Sequence, residues 1–191
     1  MSEGQIITAF LTGQSDPAAN ALSERQRAFL DRTLEPAHAR LLQNFPYSDL
    51  PSPAAAVPLW RASVNNSWQY LESRRESFAS RHRDPVLAAF HRYPRVVLLA
   101  GSCGLELLVN LRLPAGFLKR LHVFAYGPVS RRLPDCARLC LVQGSRDPIS
   151  RWWHPAPHHR IPCHHMDYLE CREMADLFRD FHRSALTPAH E

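Results

Sequence analysis

The sequence predicts an α/β fold, a three-layer α/β/α sandwich around a mostly parallel sheet of about six strands. Three observations carry this expectation. Arg95–Ala100 (RVVLLA) is apolar without alternation, as in a strand buried on both faces. Short strand-favouring runs alternate along the chain with stretches whose apolar residues recur every three or four positions. And 191 residues with 45% apolar and 21% charged side chains suit one domain over 1–191 with a sizeable core.

Gln5–Thr12 (QIITAFLT) reads as the first strand, closed by the turn signal at Gly13–Pro17. A helix is expected from about Ala18 to Leu42, with Leu22, Phe29, Leu30 and Leu34 on one face, and Pro36 ending or breaking it. Ala39–Asn44 suits a short strand, and the proline-rich Leu50–Pro58 a loop. From Leu59 a helix carries Trp60, Val64, Trp68 and Leu71 at helical spacing. It should fade near Arg81–Asp84, where Pro85 can open another turn through Phe90. After the central strand, about ten helical residues follow Gly104. His122–Tyr126 and Arg138–Gln143 are two more strands and His159–Pro162 a weak last one. Tyr168–Arg183 closes the chain as a helix packed through Leu169, Met174, Leu177 and Phe181, with 183–191 a flexible tail.

The net charge of +5 does not point to nucleic acid. The 23 basic residues are arginines except Lys119, and they are scattered among Asp and Glu with no run of five. No apolar stretch is long enough for a membrane span, and Met1-Ser2-Glu3-Gly4 lacks the basic start of a signal peptide. The expected location is the cytoplasm, where the five cysteines stay reduced. A zinc site from Cys163, His164, His165 and Cys171 is a weaker alternative, since no CxxC pair supports it. No metal or cofactor is expected.

The segment that carries chemistry is Ala100-Gly101-Ser102-Cys103-Gly104, where a buried strand runs directly into a helix. This is the nucleophile-elbow pattern. A sharp turn holds the serine in a strained conformation, and the positions two before and two after it must be small. The Cys103 N–H, at the helix start, can stabilise an oxyanion. Cys103 as the nucleophile would put Leu105 at a position that must be small, and Ser102 as a plain helix cap is the bland alternative. Farther on stand Gln143-Gly144-Ser145-Arg146-Asp147-Pro148-Ile149 and His164-His165-Met166-Asp167-Tyr168, each beyond a strand end. The order Ser, Asp, His is that of an α/β-hydrolase triad. Asp135 and Asp167 lack the Gly-x-x-Asp turn of Asp147.

On these segments the chain resembles the α/β-hydrolase family over nearly its whole length. The resemblance implies that Asp147 sits on the acid loop and that His164 or His165 sits on the histidine loop. His165 is favoured because Met166 supplies the bulky apolar residue that anchors that loop. The resemblance further implies that Phe10–Gln14 supplies the other oxyanion N–H, from Gln14 or close to it. The chain departs from the family in starting without the first two-strand hairpin, in having no lid insertion between the strands around Gly127–Ala137, and in reading Thr12-Gly13-Gln14 at the oxyanion loop.

The expected function is a serine hydrolase in which His165 takes the Ser102 proton, Ser102 attacks an ester or thioester carbonyl, and water releases the acyl group. Phe45, Tyr47, Trp152 and Trp153 are substrate-contact candidates. A basic surface and an accessible nucleophile suit a thioesterase acting on acyl groups held by an acidic carrier protein, as well as a small-molecule esterase. A non-catalytic accessory protein is the alternative. Lack of the hairpin should leave a sheet edge open at Gln5–Thr12 or near Leu41, which favours a homodimer.

Overall fold

A computed structural model describes residues 6–14, 19–47 and 59–187, with backbone alone over 59–64. Six strands form one all-parallel sheet: β1 (Ile6–Thr12), β2 (Ala39–Arg40), β3 (Arg95–Gly101), β4 (Leu121–Tyr126), β5 (Arg138–Gly144) and β6 (His159–Ile161). Their spatial order is β2-β1-β3-β4-β5-β6. All pairs are parallel, so the carboxyl ends of β1 to β6 lie on one edge. In register, Thr12 stands beside Gly101, Gly101 beside Tyr126, Tyr126 beside Val142, and Gly144 beside Ile161.

Strand periodicity splits the core in two. Ala9, Leu11, Val96, Leu98, Ala100, Val123 and Ala125 face one layer, made by α3 (Glu76–Phe90), α4 (Gly104–Asn110) and α5 (Ala115–Leu118). Ile6, Phe10, Val97, Leu99, Phe124 and Val142 face the other layer, made by α1 (Glu24–Thr33) and α7 (Arg172–Leu186). Residues alternate between clusters because successive side chains of a strand point to opposite faces. Burial on both faces explains why these strands read as unbroken apolar runs.

Several boundaries differ from the sequence expectation. α1 starts at Glu24, where Ser23 and Gln26 form a reciprocal capping box, and it ends at Thr33, short of Pro36. The long helix from Leu59 divides between α2 (Leu59–Glu72) and α3, and Pro85 lies inside α3. A tertiary contact meets the break at 73–75. Ser73 accepts the Asn110 side-chain amide at 2.9 Å, and the Arg74 and Arg75 amides bond three residues back. α4 is shorter than expected and gives way to α5 after Arg112, which has φ 50°.

At the C-terminus, Tyr168–Glu170 is a separate 3-10 turn before α7. α7 extends through Leu186, so 183–186, expected to begin a flexible tail, are helical instead. Ala185 is buried, and the Arg95 guanidinium donates to the carbonyls of Ala185, Leu186 and Thr187. A helix that sequence reading missed, α6 (Pro148–Trp153), begins at the Asp147-Pro148 pair read as a turn. Among the described residues the edge strand on the β1 side is the two-residue β2, since β1 is paired on both sides. The Leu50–Pro58 loop lies outside the described residues. Among the described residues no helix is long and apolar enough to cross a membrane.

Candidate active site

The parallel sheet delivers the loops after β1, β3, β4, β5 and β6 to one edge. That is where open α/β sheets hold their ligands. Ser102 follows β3 with φ 51°, a left-handed conformation costly for any residue with a Cβ. The turn is held from both sides: Ser102 N–H donates to the Tyr126 carbonyl at 3.1 Å and Val129 N–H donates to the Ser102 carbonyl at 3.0 Å. Gly104 must be glycine, because a Cβ there would overlap the Leu11 carbonyl oxygen. Thus α4 presses directly on β1, and the serine is left partly exposed above it.

The three side chains singled out in the sequence meet. Ser102 Oγ lies 3.1 Å from His165 Nε2, and His165 Nδ1 lies 2.8 Å from Asp147 Oδ2. Asp147 is fully buried and caps α6: its Oδ1 accepts the Ile149 and Ser150 amides, each at 3.1 Å. Burial by itself would raise its pKa. Hydrogen bonds from His165, Tyr168 and the Ser150 amide outweigh burial and hold the carboxyl well below the usual range, so Asp147 is ionised at neutral pH. His164 is exposed, and it is His165 that stands within hydrogen-bond distance of both Ser102 and Asp147.

Cys103 occupies the N-cap of α4, where amides have no carbonyl partner within the helix. Its thiol is buried and pushed up to about 11, chiefly by desolvation, so it is no thiolate at neutral pH. The Gln14 N–H is engaged: it donates to Gln69 Oε1 of α2 at 2.7 Å. Asn66, one turn earlier on α2, stands over Gly13, where a Cβ would come within 2.6 Å of its Oδ1 and 2.8 Å of Cys103 Sγ. The loop after β1 is therefore packed between the elbow and α2. No helix is inserted between β4 and β5, but α2 covers the oxyanion side of the site, which the sequence did not indicate.

Other expectations need correction. Phe45 and Tyr47 do not rise over the edge. Both are buried in the core, Phe45 against Tyr47, Phe78 and His82, and Tyr47 with its hydroxyl donating to the Phe10 carbonyl at 2.6 Å. Their loop follows β2 at the sheet edge and turns under α3, the nearest apolar surface. Trp153 is half-buried, edge-on to Tyr70 of α2 at 5.9 Å, while Trp152 is 86% exposed. Met166 does not anchor the histidine loop, being 55% exposed. The anchor is Tyr168, whose ring is buried and whose hydroxyl donates to Asp147 Oδ2 at 2.7 Å.

Sequence reading placed Tyr168 merely at the start of a helix; its position three residues after His165 was the only signal. Asn44 was missed as well. It pins the end of β1 by accepting the Thr12 N–H at 2.9 Å and donating to the Thr12 carbonyl at 3.2 Å. Glu106, on α4, is ion-paired with Arg131 at 3.0 Å and Arg74 at 3.6 Å. Cys163 and Cys171 are neighbours, but among the described residues no three His, Cys, Asp or Glu are grouped as metal ligands.

Three solved structures share this architecture over most of both chains. A candidate hydrolase of the alpha/beta superfamily from Xanthomonas campestris pv. campestris aligns with TM-score 0.52 at 15% identity, covering 96% of this chain and 99% of that one. The fold is that of the α/β hydrolases. Mouse alpha/beta hydrolase domain-containing protein 10 aligns with TM-score 0.51 at 11% identity, covering 93% of this chain and 88% of its own. A candidate hydrolase from Agrobacterium vitis S4 aligns with TM-score 0.52 at 13% identity, covering 96% and 88%. No protein-family model matches the sequence, and no curated protein matches it either. Within the α/β-hydrolase fold, Ser102, Asp147 and His165 lie beyond the carboxyl ends of β3, β5 and β6.

Proposed function

We propose that the chain is a serine hydrolase that cleaves an ester or thioester through Ser102, His165 and Asp147. The supporting observation is the hydrogen-bonded series from Ser102 Oγ through His165 to Asp147, built on a serine with φ 51°. With Nδ1–H directed at the ionised Asp147, His165 Nε2 is the free base facing the serine hydroxyl. It takes that proton as Oγ attacks the acyl carbon, and the carbonyl oxygen becomes an oxyanion beside the Cys103 N–H. The imidazolium then gives the proton to the departing alkoxide or thiolate. Water attacks the acyl-enzyme with the same histidine as base, which regenerates Ser102 and frees the acid.

A thioester on an acidic carrier protein is the finer form of this reading. Its support is the exposed Trp152 and Ile149 on α6, flanked by Arg146 and Arg151, beside the acid that α6 begins with. Attraction between opposite surface charges would speed encounter with such a carrier.

A fluorophosphonate probe tests the chemistry, because only an activated serine reacts at neutral pH. Labelling is expected to vanish in Ser102→Ala and to survive in Cys103→Ala. It should fall steeply in His165→Ala and Asp147→Asn and persist in His164→Ala. One observation favours the non-catalytic alternative, namely the engagement of the Gln14 amide by Gln69. Folded wild-type protein that takes no label, even from a small probe, would establish that alternative.

A further inference from the structure

The Asp147 carboxylate divides its work between its two oxygens. Oδ1 holds the two amides of α6, and Oδ2 receives both the His165 Nδ1–H and the Tyr168 hydroxyl. The direction of the phenolic proton is fixed by a third group. Gly144 N–H donates into the same hydroxyl oxygen at 2.6 Å, leaving Asp147 Oδ2 as the acceptor for the phenol's own proton. The ring cannot swing away. It is 1% exposed, packs against Tyr126 with centroids 5.7 Å apart, and lies over Gly127, where a Cβ would come within 2.7 Å of it. Gly127 has φ 53°, so this close approach of backbone to ring requires glycine twice over.

We propose that Tyr168 is a positioning residue for the site: by sharing Asp147 Oδ2 with His165, its hydroxyl aims the carboxylate and withdraws negative charge from it, lowering the proton affinity of His165. This rests on the hydrolase reading for its catalytic meaning, but not for its physical content. A hydrogen bond donated to an anion disperses its charge, so the anion stabilises a neighbouring cation less. Tyr126 from β4 packs against the Tyr168 ring, and Cys163, at the start of the histidine loop, interacts electrostatically with Asp147, Asp167 and Cys171. None of them is removed or recharged by changing the phenol.

The test is an NMR pH titration of the His165 ring in the full chain, its resonances assigned by their absence in His165→Ala. Tyr168→Phe keeps the ring and loses the donor, and should raise the His165 pKa by about 0.5 unit or more, a roughly threefold gain in proton affinity. Site-specific 3-fluorotyrosine at 168, a stronger donor of the same shape, should shift it the opposite way, and carries the test if Tyr168→Phe does not fold. The acid limb of kcat/KM should move in the same directions. An unchanged His165 titration in both folded variants overturns the proposal. Titrations that shift as stated in a protein that no fluorophosphonate labels support the tuning by Tyr168 and overturn the hydrolase reading alone.

Discussion

Gln69 and Gln14 bind each other twice: Gln69 Oε1 accepts the Gln14 N–H at 2.7 Å and Gln69 Nε2 donates to Gln14 Oε1 at 3.1 Å. For Gln14 to serve an oxyanion, the first of these bonds must be exchanged for one to the substrate. A net hydrogen bond is worth about 1 kcal/mol, so Gln69→Ala is expected to raise the rate of fluorophosphonate labelling about fivefold. A slower rate in the folded variant would show that Gln69 holds the loop in its working position instead.

Gly104 and Gly116 should respond oppositely to alanine. At Gly104 the new methyl meets the Leu11 backbone, which cannot yield without separating α4 from β1. Gly104→Ala is expected to cost about 3 kcal/mol or to prevent folding. At Gly116, within α5, nothing lies within 4 Å, and the gain from a less flexible unfolded chain should be about 0.5 kcal/mol. Urea midpoints of the two variants, read at equal slope, check both signs.

Glu106 is a buried carboxylate on α4, bonded by the Arg131 amide and guanidinium and by Asn110. Burial alone would raise its pKa, but these donors prevail and lower it. The unfolded chain therefore holds the proton more tightly. The stabilisation is complete above about pH 5 and is lost as pH falls through the folded value. Glu106→Gln is expected to cost about 2 kcal/mol at pH 7. Its deficit relative to wild type should shrink on acidification, which thermal melts from pH 7 to pH 3 would show. A deficit independent of pH would mean that the charge does not matter.

Phe45 and Trp152, paired in the sequence reading as substrate contacts, should separate. Phe45→Ala opens a cavity in the core and is expected to cost about 4 kcal/mol. Trp152→Ala removes an 86% exposed ring and should leave stability within about 0.5 kcal/mol. If α6 docks a carrier protein, Trp152→Ala should lower kcat/KM for a carrier-bound thioester several-fold and leave a small ester unaffected. Equal effects on both substrates would remove α6 from the docking surface.

What the sequence by itself determined was local. Unbroken apolar runs marked β3, β4 and β5, because strands buried on both faces have no polar side to show. The elbow was legible because a turn that tight admits only small residues around Ser102, and Asp147 because it follows a strand end in a Gly-x-x-Asp turn. Tertiary structure decided whatever depended on a partner distant in the chain. Met166 is apolar and follows His165, yet the neighbour that fixes the loop is Tyr168, since only the fold brings its hydroxyl to Asp147. The aromatic pair Phe45 and Tyr47 went inside because α3 offered an apolar surface there, and Asn110 of α4 meets Ser73 at the division between α2 and α3. Composition states that a side chain seeks burial or a hydrogen bond, but which surface or which partner meets it is set by the three-dimensional packing of segments far apart in sequence.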